Sequence, residues 1–575
     1  MAKNLAILFA FLLIAPGISL SQENADTKYW IIFTDKGKYK PDADMSPGSP
    51  AYNAAREVIS ERAINRRKKV LDENDLLLYS DLPIDRSYVN GVSGLGINVI
   101  AESRWLNGVS AYLTDEQAGK VRSLPYVSKT AVVQRLQKQE LDAKQTAGIT
   151  KSINDYGNSK KQMDLVNVPK AHDLGITGKG VLIACFDDGF DWKNHESLRS
   201  LNVIGEYDFI NEDPRTHYEE NQSYEDRRNQ GQHGTGVLST MSGYREGKLV
   251  GPAYESDVLL AKTEYVPTET PMEEDFWLEA TEWAESKGAD IITSSLIYKA
   301  YDSPYGSNSY EYNDFNGKVA VTSFAASKAA HLGVVVCQAM GNYFQTQTPS
   351  LGSAADADSI ISVGAVTPNG TPAGFTSNGP TSDGRIKPDV SAPGLMVYAA
   401  LVKEVSGNDS TYEYVSGTSF STPITAGICA MILSAHPELT PLEVRDALRN
   451  TASQSNSPDN VLGWGIVNAY DALLYHGPVW SNSAKFTEDG GNLVASIKSA
   501  SKAGLDMGSM LMWYSTDGGN SYTKTAMTYR GQSDLHNGGE FVATLQGLNA
   551  AQGISYYFTV NDDNGKEHSS PVMKK

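Results

Sequence analysis

One segment constrains the fold of this chain more than any other. Residues 417–435 read GTSFSTPITAGICAMILSA, in which a Gly-Thr-Ser run leads directly into a long apolar stretch. The stretch predicts a buried helix with Pro423 in its first turn. Ser419 would therefore lie at a helix N-terminus, where free backbone N–H groups and the helix dipole stabilise developing negative charge. Small flanking residues leave room for another chain to approach, so the position suits a nucleophilic hydroxyl.

A serine hydroxyl needs a base to take its proton and a carboxylate to orient that base. Of the nine histidines, only His233 lies in a glycine-flanked frame, GQHGTG. Val181–Phe186 is a short apolar run typical of a buried parallel strand. Asp187 follows at its carboxyl end, where open α/β sheets place their sites. Asp188 is the alternative carboxylate, and alternation along the strand places it on the opposite side.

Taken singly, these motifs are commoner as a helix cap, a turn and a loop cap, but together they form a recognisable pattern. FDDGF, QHGTGV and GTSFSTP resemble the Asp, His and Ser boxes of the subtilisin-like serine proteases, the subtilases, in that family's chain order. The resemblance runs from about Val168 to Leu474 and includes LVGPAYESDVLLAK, GADIITSSL, GVVVCQAMGN, IKPDVSAPG and GWGIVNAYDAL. It implies an α/β fold with a doubly wound, mostly parallel, subtilisin-like sheet.

The resemblance also implies a role for each site residue. Ser419 would be the nucleophile, His233 the general base and then acid, and Asp187, the first acid of the pair, the orienting carboxylate. Asn342 would donate its side-chain amide to the oxyanion of the tetrahedral intermediate, together with the backbone N–H of Ser419.

Two segments on either side of the expected groove depart from the family pattern. The resemblance places six substrate-binding residues there, namely Ser295, Leu296, Ile297, Ala339, Met340 and Gly341. Ile297 replaces a glycine that forms a pocket wall in relatives, and its branched side chain is stiff. We therefore expect a narrowed or reshaped pocket that prefers small or slim side chains. The alternative is that backbone shifts hide Ile297 in the core.

The rest of the chain predicts additional domains around a catalytic domain at residues 145–476. Residues 1–21 have a positive start, an apolar core and small residues before a cut, as in a secretory signal peptide. Residues 22–144 predict a β-α-β-β-α-β, ferredoxin-like α+β unit that resembles the subtilase propeptide, an inhibitor and folding aid. A permanent accessory domain is the alternative. Residues 477–575 contain short strands and hairpin signals that predict a small β-sandwich.

The amino-acid composition limits which partners and cofactors the chain is expected to bind. A net charge of −19 argues against nucleic acid and anionic lipid as partners. The three cysteines lie in separate apolar segments and predict packed free thiols, and no cluster has zinc spacing. No cofactor is required for the chemistry. Relatives often bind structural calcium, and carboxylates such as those of DFINEDP are plentiful, but their spacing fixes no site.

These features predict an exported serine endopeptidase, secreted, periplasmic or on the cell surface. No segment after the signal peptide is long and apolar enough to span a membrane. We expect a monomer that acts on polypeptides through an acyl-enzyme on Ser419 and is inhibited by its own propeptide, which would be cut between about Gln134 and Lys151. One alternative is a catalytically weak or dead subtilase scaffold that acts as a binding protein. Another is a protease that cuts only its own propeptide.

Overall fold

The structure is a computed structural model that describes most of the chain. The described residues are 27–132, 155–226, 229–299, 301–302, 310–402, 409–531 and 538–575. The predicted signal peptide at 1–21 and the predicted cleavage stretch at 134–151 both lie outside them.

The N-terminal unit, residues 27–132, is an antiparallel sheet in the order β2-β3-β1-β4 with helices on it. Its elements are β1 (Thr27–Phe33), α1 (Pro50–Val58), α2 (Glu61–Arg67), α3 (Arg86–Ser93), β2 (Val99–Ser103), β3 (Gly108–Leu113), α4 (Asp115–Arg122) and β4 (Val127–Val132). The predicted β-α-β-β-α-β pattern has a single helix between the first two strands, and that prediction was wrong, because α1, α2 and α3 lie there. Ile59 is extended, and the Ser60 side chain accepts from the Ala63 backbone N–H, so a second helix begins there.

The central unit, residues 155–474, contains a seven-stranded, fully parallel sheet in the order β13-β12-β11-β10-β5-β9-β6. Its elements are α5 (Lys160–Leu165), α6 (Val168–Asp173), β5 (Leu182–Asp187), β6 (Asn202–Asp208), α7 (Gln232–Ser242), β7 (Tyr244–Arg245), β8 (Leu249–Val250), β9 (Asp257–Lys262), α8 (Pro271–Lys287), β10 (Ile291–Ser294), α9 (Val321–His331), β11 (Val335–Ala339), β12 (Ile361–Val366), β13 (Val390–Pro393), β14 (Val397–Leu401), β15 (Thr411–Val415), α10 (Thr418–Ala435), α11 (Pro441–Thr451) and α12 (Ala469–Leu473).

Helices cover both faces of this sheet, as strand β5 illustrates. Ile183 and Cys185 enter the apolar layer beneath α7 and α10, whereas Ala184 and Phe186 enter the layer beneath α8 and α9. A strand buried on both sides reads as a continuous apolar run, which is why the sequence predicted it correctly. Asp187 is the last residue of β5, at the carboxyl edge of the sheet.

Helix α10 crosses the sheet and is apolar nearly all round. Among the described residues it is the one helix long and apolar enough to cross a membrane, but 94% of it is buried inside the protein. It is therefore a core helix. The helix begins at Thr418, so Pro423 lies inside it and not in its first turn as predicted.

The N-terminal unit packs on α8 through a buried network of opposite charges. The Arg66 guanidinium pairs with Glu285, and Arg67 Nε lies 2.8 Å from Glu285 Oε1, with all three side chains at most 1% exposed. Lys28 Nζ lies 2.6 Å from Asp275 Oδ2, and both side chains are buried. The cations come from β1 and α2 and the carboxylates from α8, so the two units are joined by charge as well as by apolar contact.

The C-terminal unit, residues 479–575, consists of two antiparallel sheets around one shared apolar cluster. One sheet contains β16 (Val479–Trp480), β17 (Lys485–Asp489), β18 (Asn492–Ala500), β21 (Thr528–Tyr529) and β22 (Gly538–Leu545), and the other contains β19 (Leu511–Ser515), β20 (Thr523–Ala526), β23 (Ser555–Asn561), β24 (Glu567–Ser569) and β25 (Met573–Lys574). Two of the predicted hairpin signals, DGGN at 517–520 and DDNG at 562–565, join β19 to β20 and β23 to β24.

Candidate active site

The end of β5 and the start of α7 bring the predicted carboxylate and base together. His233 Nδ1 lies 2.7 Å from Asp187 Oδ1, and Asp187 is fully buried while the His233 side chain is 37% exposed. Gly234 permits this approach, because a Cβ there would stand 2.8 Å from Asp187 Cβ and would collide with the Gly189 carbonyl. The imidazole is thus held on one nitrogen and open to the groove.

The Asp188 carboxylate bonds to the backbone of α7 and not to the imidazole. Its Oδ1 accepts a hydrogen bond from the Gly234 backbone N–H at 2.8 Å, and the residue is 2% exposed. The carboxylate that bonds to His233 is therefore Asp187, and Asp188 fixes the backbone beside it.

The electrostatic environment of His233 is dominated by these carboxylates. Burial alone would lower the pKa of His233, but the charge and hydrogen bond of Asp187, with the charge of Asp188, raise it to about 9. The imidazole can accept a proton only above its pKa, so the charge beside it decides the pH range in which it can act as a base.

Ser419 lies in the first turn of α10, beside the groove segment. Pro423 has no N–H, so the Ser419 carbonyl lacks its helical partner, and the Ser295 hydroxyl donates to it at 2.7 Å instead. The Ser419 hydroxyl lies 3.4 Å from the Ser295 carbonyl oxygen. The neighbouring Phe420 ring packs 5.7 Å from the His233 ring, which places the base against the start of this helix.

Asn342 follows β11 and is oriented by the same helix start. Its Oδ1 accepts from the Thr418 backbone N–H at 2.9 Å and from the Thr418 hydroxyl at 3.0 Å. The amide nitrogen consequently faces the other way. A Cβ placed on Gly417 would lie 3.5 Å from Asn342 Nδ2 and 3.6 Å from both Ser419 Cβ and Ser419 N. The Asn342 amide nitrogen and the Ser419 backbone nitrogen therefore both lie beside Gly417 at the start of α10, an arrangement that can bind an oxyanion.

The groove segment after β10 alternates between two environments. Leu296 and Tyr298 are buried in the apolar layer beneath α8 and α9. Ser295 and Ile297 lie on the other side, where Ser295 contacts Ser419 and Ile297 is half-buried. A Cβ added to Gly352 would overlap Ile297 Cγ2, so the isoleucine reaches across to Gly352. Ile297 is not among the fully buried residues of either apolar layer.

The opposite segment, predicted to bind substrate, is more buried than expected. Met340 was predicted to reshape the pocket wall, but its side chain is fully buried in the apolar layer beneath α8 and α9. Ala339 is also fully buried. Gly341, at a φ of 105°, is buried as well, and a Cβ there would lie 3.0 Å from a Tyr343 ring carbon. The Tyr343 ring therefore packs against Gly341.

Sequence reasoning missed the group that links the loops near the site. Lys262, the last residue of β9, pairs in register with Asp187 on β5 and is fully buried. Its ammonium lies 2.9 Å from Asp208 Oδ2 and also pairs with Glu225, which lies in the loop before α7. A lysine at the end of a buried strand was the available signal, since such a charge requires partners.

Carboxylates suited to calcium occur at one place among the described residues. One oxygen each from Glu264, Glu269 and Glu273 lies within 4.8 Å of the others, and carboxylate oxygen is the ligand type that calcium prefers. In DFINEDP, by contrast, the Asp208 carboxylate already holds the Lys262 ammonium. The glutamate cluster is thus the better fit to a structural ion.

Known protein families match the same two regions of the chain, the central unit and the N-terminal unit. A model of the subtilase family matches residues 178–465, and a model of the peptidase S8 propeptide domain of Bacteroidota matches residues 28–148. The chain belongs to the subtilase family. It is a serine endopeptidase with a propeptide domain, the organisation of a protease zymogen.

Characterised relatives agree with this assignment. The chain is 30% identical to subtilisin of Bacillus pumilus over 309 residues, which cover 53% of this chain and 96% of that protein. It is 30% identical to the serine protease AprX of Bacillus subtilis over 321 residues, which cover 52% of this chain and 67% of AprX. The crystal structure of fervidolysin from Fervidobacterium pennivorans, a keratinolytic enzyme related to subtilisin, superposes with a TM-score of 0.52 at 19% identity, covering 85% of this chain and 75% of that one. The central unit therefore has the subtilisin-like fold.

Proposed function

We propose that this chain is an exported endopeptidase that hydrolyses peptide bonds through an acyl-enzyme on Ser419. The Ser419 hydroxyl attacks the scissile carbonyl and gives its proton to His233, while Asp187 orients and stabilises the imidazolium. Asn342 Nδ2 and the Ser419 N–H hold the oxyanion. His233 then protonates the leaving amine, and water releases the acyl group. All these steps use groups of the chain itself, and a calcium ion would be structural.

One observation carries this proposal. The Asn342 amide is turned by two hydrogen bonds to Thr418, so that its N–H groups and the start of α10 flank Ser419. An asparagine kept only for packing would not need this orientation. The Asp187–His233 hydrogen bond supplies the matching base.

An active-site label tests the proposal. The secreted, processed protein should react with a fluorophosphonate, and Ser419→Ala should abolish the reaction. Ser421→Ala, the same change two residues along α10 at a buried hydroxyl, is the matched control and should keep it. A processed wild-type protein that takes no label at any pH would contradict the enzyme and favour the scaffold alternative.

We propose further that residues 1–21 direct export, residues 22–144 are a ferredoxin-like propeptide, residues 145–476 form the catalytic domain and residues 477–575 a β-sandwich. The buried charge pairs between α2 and α8 support a propeptide that docks on the protease as its own partner. N-terminal sequencing of the secreted wild type should give a start between about residues 134 and 151. The Ser419→Ala form should begin near residue 22 if processing is autocatalytic, and size-exclusion chromatography should give a monomer.

The groove geometry supports a preference for small side chains before the scissile bond. Ile297 is half-buried, and its Cγ2 occupies the space in which a Cβ on Gly352 would stand, so its side chain fills volume that a glycine would leave open. Peptide substrates with alanine before the cut should exceed those with phenylalanine. Ile297→Gly should raise phenylalanine turnover about tenfold or more, whereas Ile297→Val should change it little. Best cleavage after large aromatic or basic residues in the wild type would contradict the preference.

A further inference from the structure

Asp188 is a buried carboxyl group that the proposed mechanism does not use. Its Oδ1 accepts from the Gly234 N–H at 2.8 Å, and its Oδ2 is buried with no hydrogen-bond partner among the described residues. The Oδ2 of Asp187 is in the same condition. The two residues are neighbours in the chain, and the Asp188 backbone N–H donates to Asp187 Oδ1 at 2.8 Å. A buried acceptor without a donor is costly, and two such oxygens together require an explanation.

Among the described residues, neither carboxyl group forms an ion pair with a lysine or an arginine. From α7, the titratable group is His233, which binds Asp187. From β9, the nearest cation in register is Lys262, whose ammonium is shared between Asp208 and Glu225. Two ionised carboxylates in this place would therefore be buried like charges balanced by a single imidazole. Burial and the charge of Asp187 accordingly raise the pKa of Asp188 well above its usual range.

Two charges here would also oppose catalysis. Together they raise the pKa of His233 to about 9, although burial acts in the other direction. At neutral pH such an imidazole would already hold a proton and could not take the one from Ser419. Removing one negative charge from the pair lowers the pKa of the imidazole towards the neutral range.

We infer that Asp188 is a positioning residue that stays protonated at neutral pH, donates through Oδ2 to the unpartnered Oδ2 of Asp187, and holds the Gly234 N–H with Oδ1. One proton then satisfies both buried oxygens, and the pair presents one negative charge to His233. The hydrogen bond to Gly234 fixes the backbone beside the imidazole. This inference rests on the proposed function, because it concerns the protonation state of the base in that mechanism.

The test compares Asp188→Asn with Asp188→Ala in the processed protein. Asparagine is neutral, can accept from Gly234 and can donate to Asp187, so it imitates the protonated carboxyl group. We expect Asp188→Asn to leave the acid limb of the pH profile for fluorophosphonate labelling in place, within about 0.3 pH units, and the rate within about threefold. Asp188→Ala should lose about tenfold or more, since it removes both hydrogen bonds.

Different results separate the inference from the proposed function. A shift of the acid limb to lower pH by a unit or more in Asp188→Asn would mean that Asp188 is charged in the wild type, and would overturn the inference alone. If Asp188→Asn does not fold, the wild-type profile decides. An acid limb centred between about 6.5 and 8 supports the inference, and one at about 9 or above overturns it. A wild type that never labels overturns the inference together with the proposed function.

Discussion

At the scale of single residues, the oxygen and the nitrogen of the Asn342 side chain have different roles. The oxygen is bound twice by Thr418, and this fixes the nitrogen beside Ser419. The donor is thus oriented before any substrate arrives, and no reorganisation is needed when negative charge develops on the substrate oxygen.

Asn342→Ala should therefore lower kcat by about a hundredfold or more, with a smaller change in KM. The loss follows because the donor acts on the charged transition state more than on the neutral substrate. Thr418→Ser, which keeps the hydroxyl donor to Asn342, should stay within about threefold of the wild type. Steady-state kinetics on a peptide substrate measure both. A kcat for Asn342→Ala within threefold of the wild type would contradict the oxyanion role.

At the scale of elements, the start of α10 depends on the segment that follows β10. Pro423 removes the N–H that would bond to the Ser419 carbonyl, and the Ser295 hydroxyl replaces it. The Ser295 hydroxyl thus bonds the residue of the nucleophile to the groove segment. A helix without Pro423 would not need this hydrogen bond.

Ser295→Ala should reduce the free energy of unfolding by about 1–3 kcal/mol, because it leaves a buried carbonyl without a donor. In a Pro423→Ala background the helix supplies its own N–H, so the same substitution should cost measurably less. Denaturant unfolding of the four variants in a Ser419→Ala background measures this coupling. If Ser295→Ala lowers the free energy of unfolding equally in both backgrounds, the Ser295 hydroxyl does not replace the N–H that Pro423 lacks.

Docking of the N-terminal unit provides a second test at this scale. Glu285 is fully buried and pairs with both Arg66 and Arg67. Glu285→Gln leaves buried guanidinium groups without their counter-charge, so it should destabilise the Ser419→Ala chain by about 3–5 kcal/mol. Glu116→Gln removes an exposed pair with Lys120 and should cost less than about 1 kcal/mol. Thermal unfolding of both variants measures the difference, and similar melting temperatures would contradict a structural role for the buried network.

Particular elements explain how far the sequence predicts this fold and site. Strand β5 and the Asp187–His233 pair are predictable, because a run buried on both faces and residues at strand and helix ends leave local patterns. The break between α1 and α2 and the position of Pro423 inside α10 depend on competing caps and tertiary contacts. The burial of Met340 could not be predicted, since only the register of β11 decides which side chain faces the groove.

At the scale of the whole molecule, two apolar layers lie on the two faces of the seven-stranded sheet. The C-terminal unit contains an apolar core of its own. The layer beneath α7 and α10 contains all three cysteines, contributed by β5, β11 and α10. All three thiols are buried away from solvent in the native state. The thiols can therefore report on opening of this layer as a unit.

We expect no native thiol to react with a disulfide reagent, and three thiols to react after unfolding in denaturant, without a reductant. Cys185, Cys337 and Cys429 are each 0% exposed, and burial raises the pKa of Cys185 and Cys337 well above the usual range. Cys337 Sγ and Cys429 Sγ lie 3.8 Å apart, far beyond the roughly 2.05 Å of a disulfide bond. Fewer than three reactive thiols in the unfolded secreted protein would show that this pair is oxidised and that β11 and α10 are covalently joined. Rapid reaction of the native protein would instead mean that the layer beneath α10 opens far more readily than its packing implies.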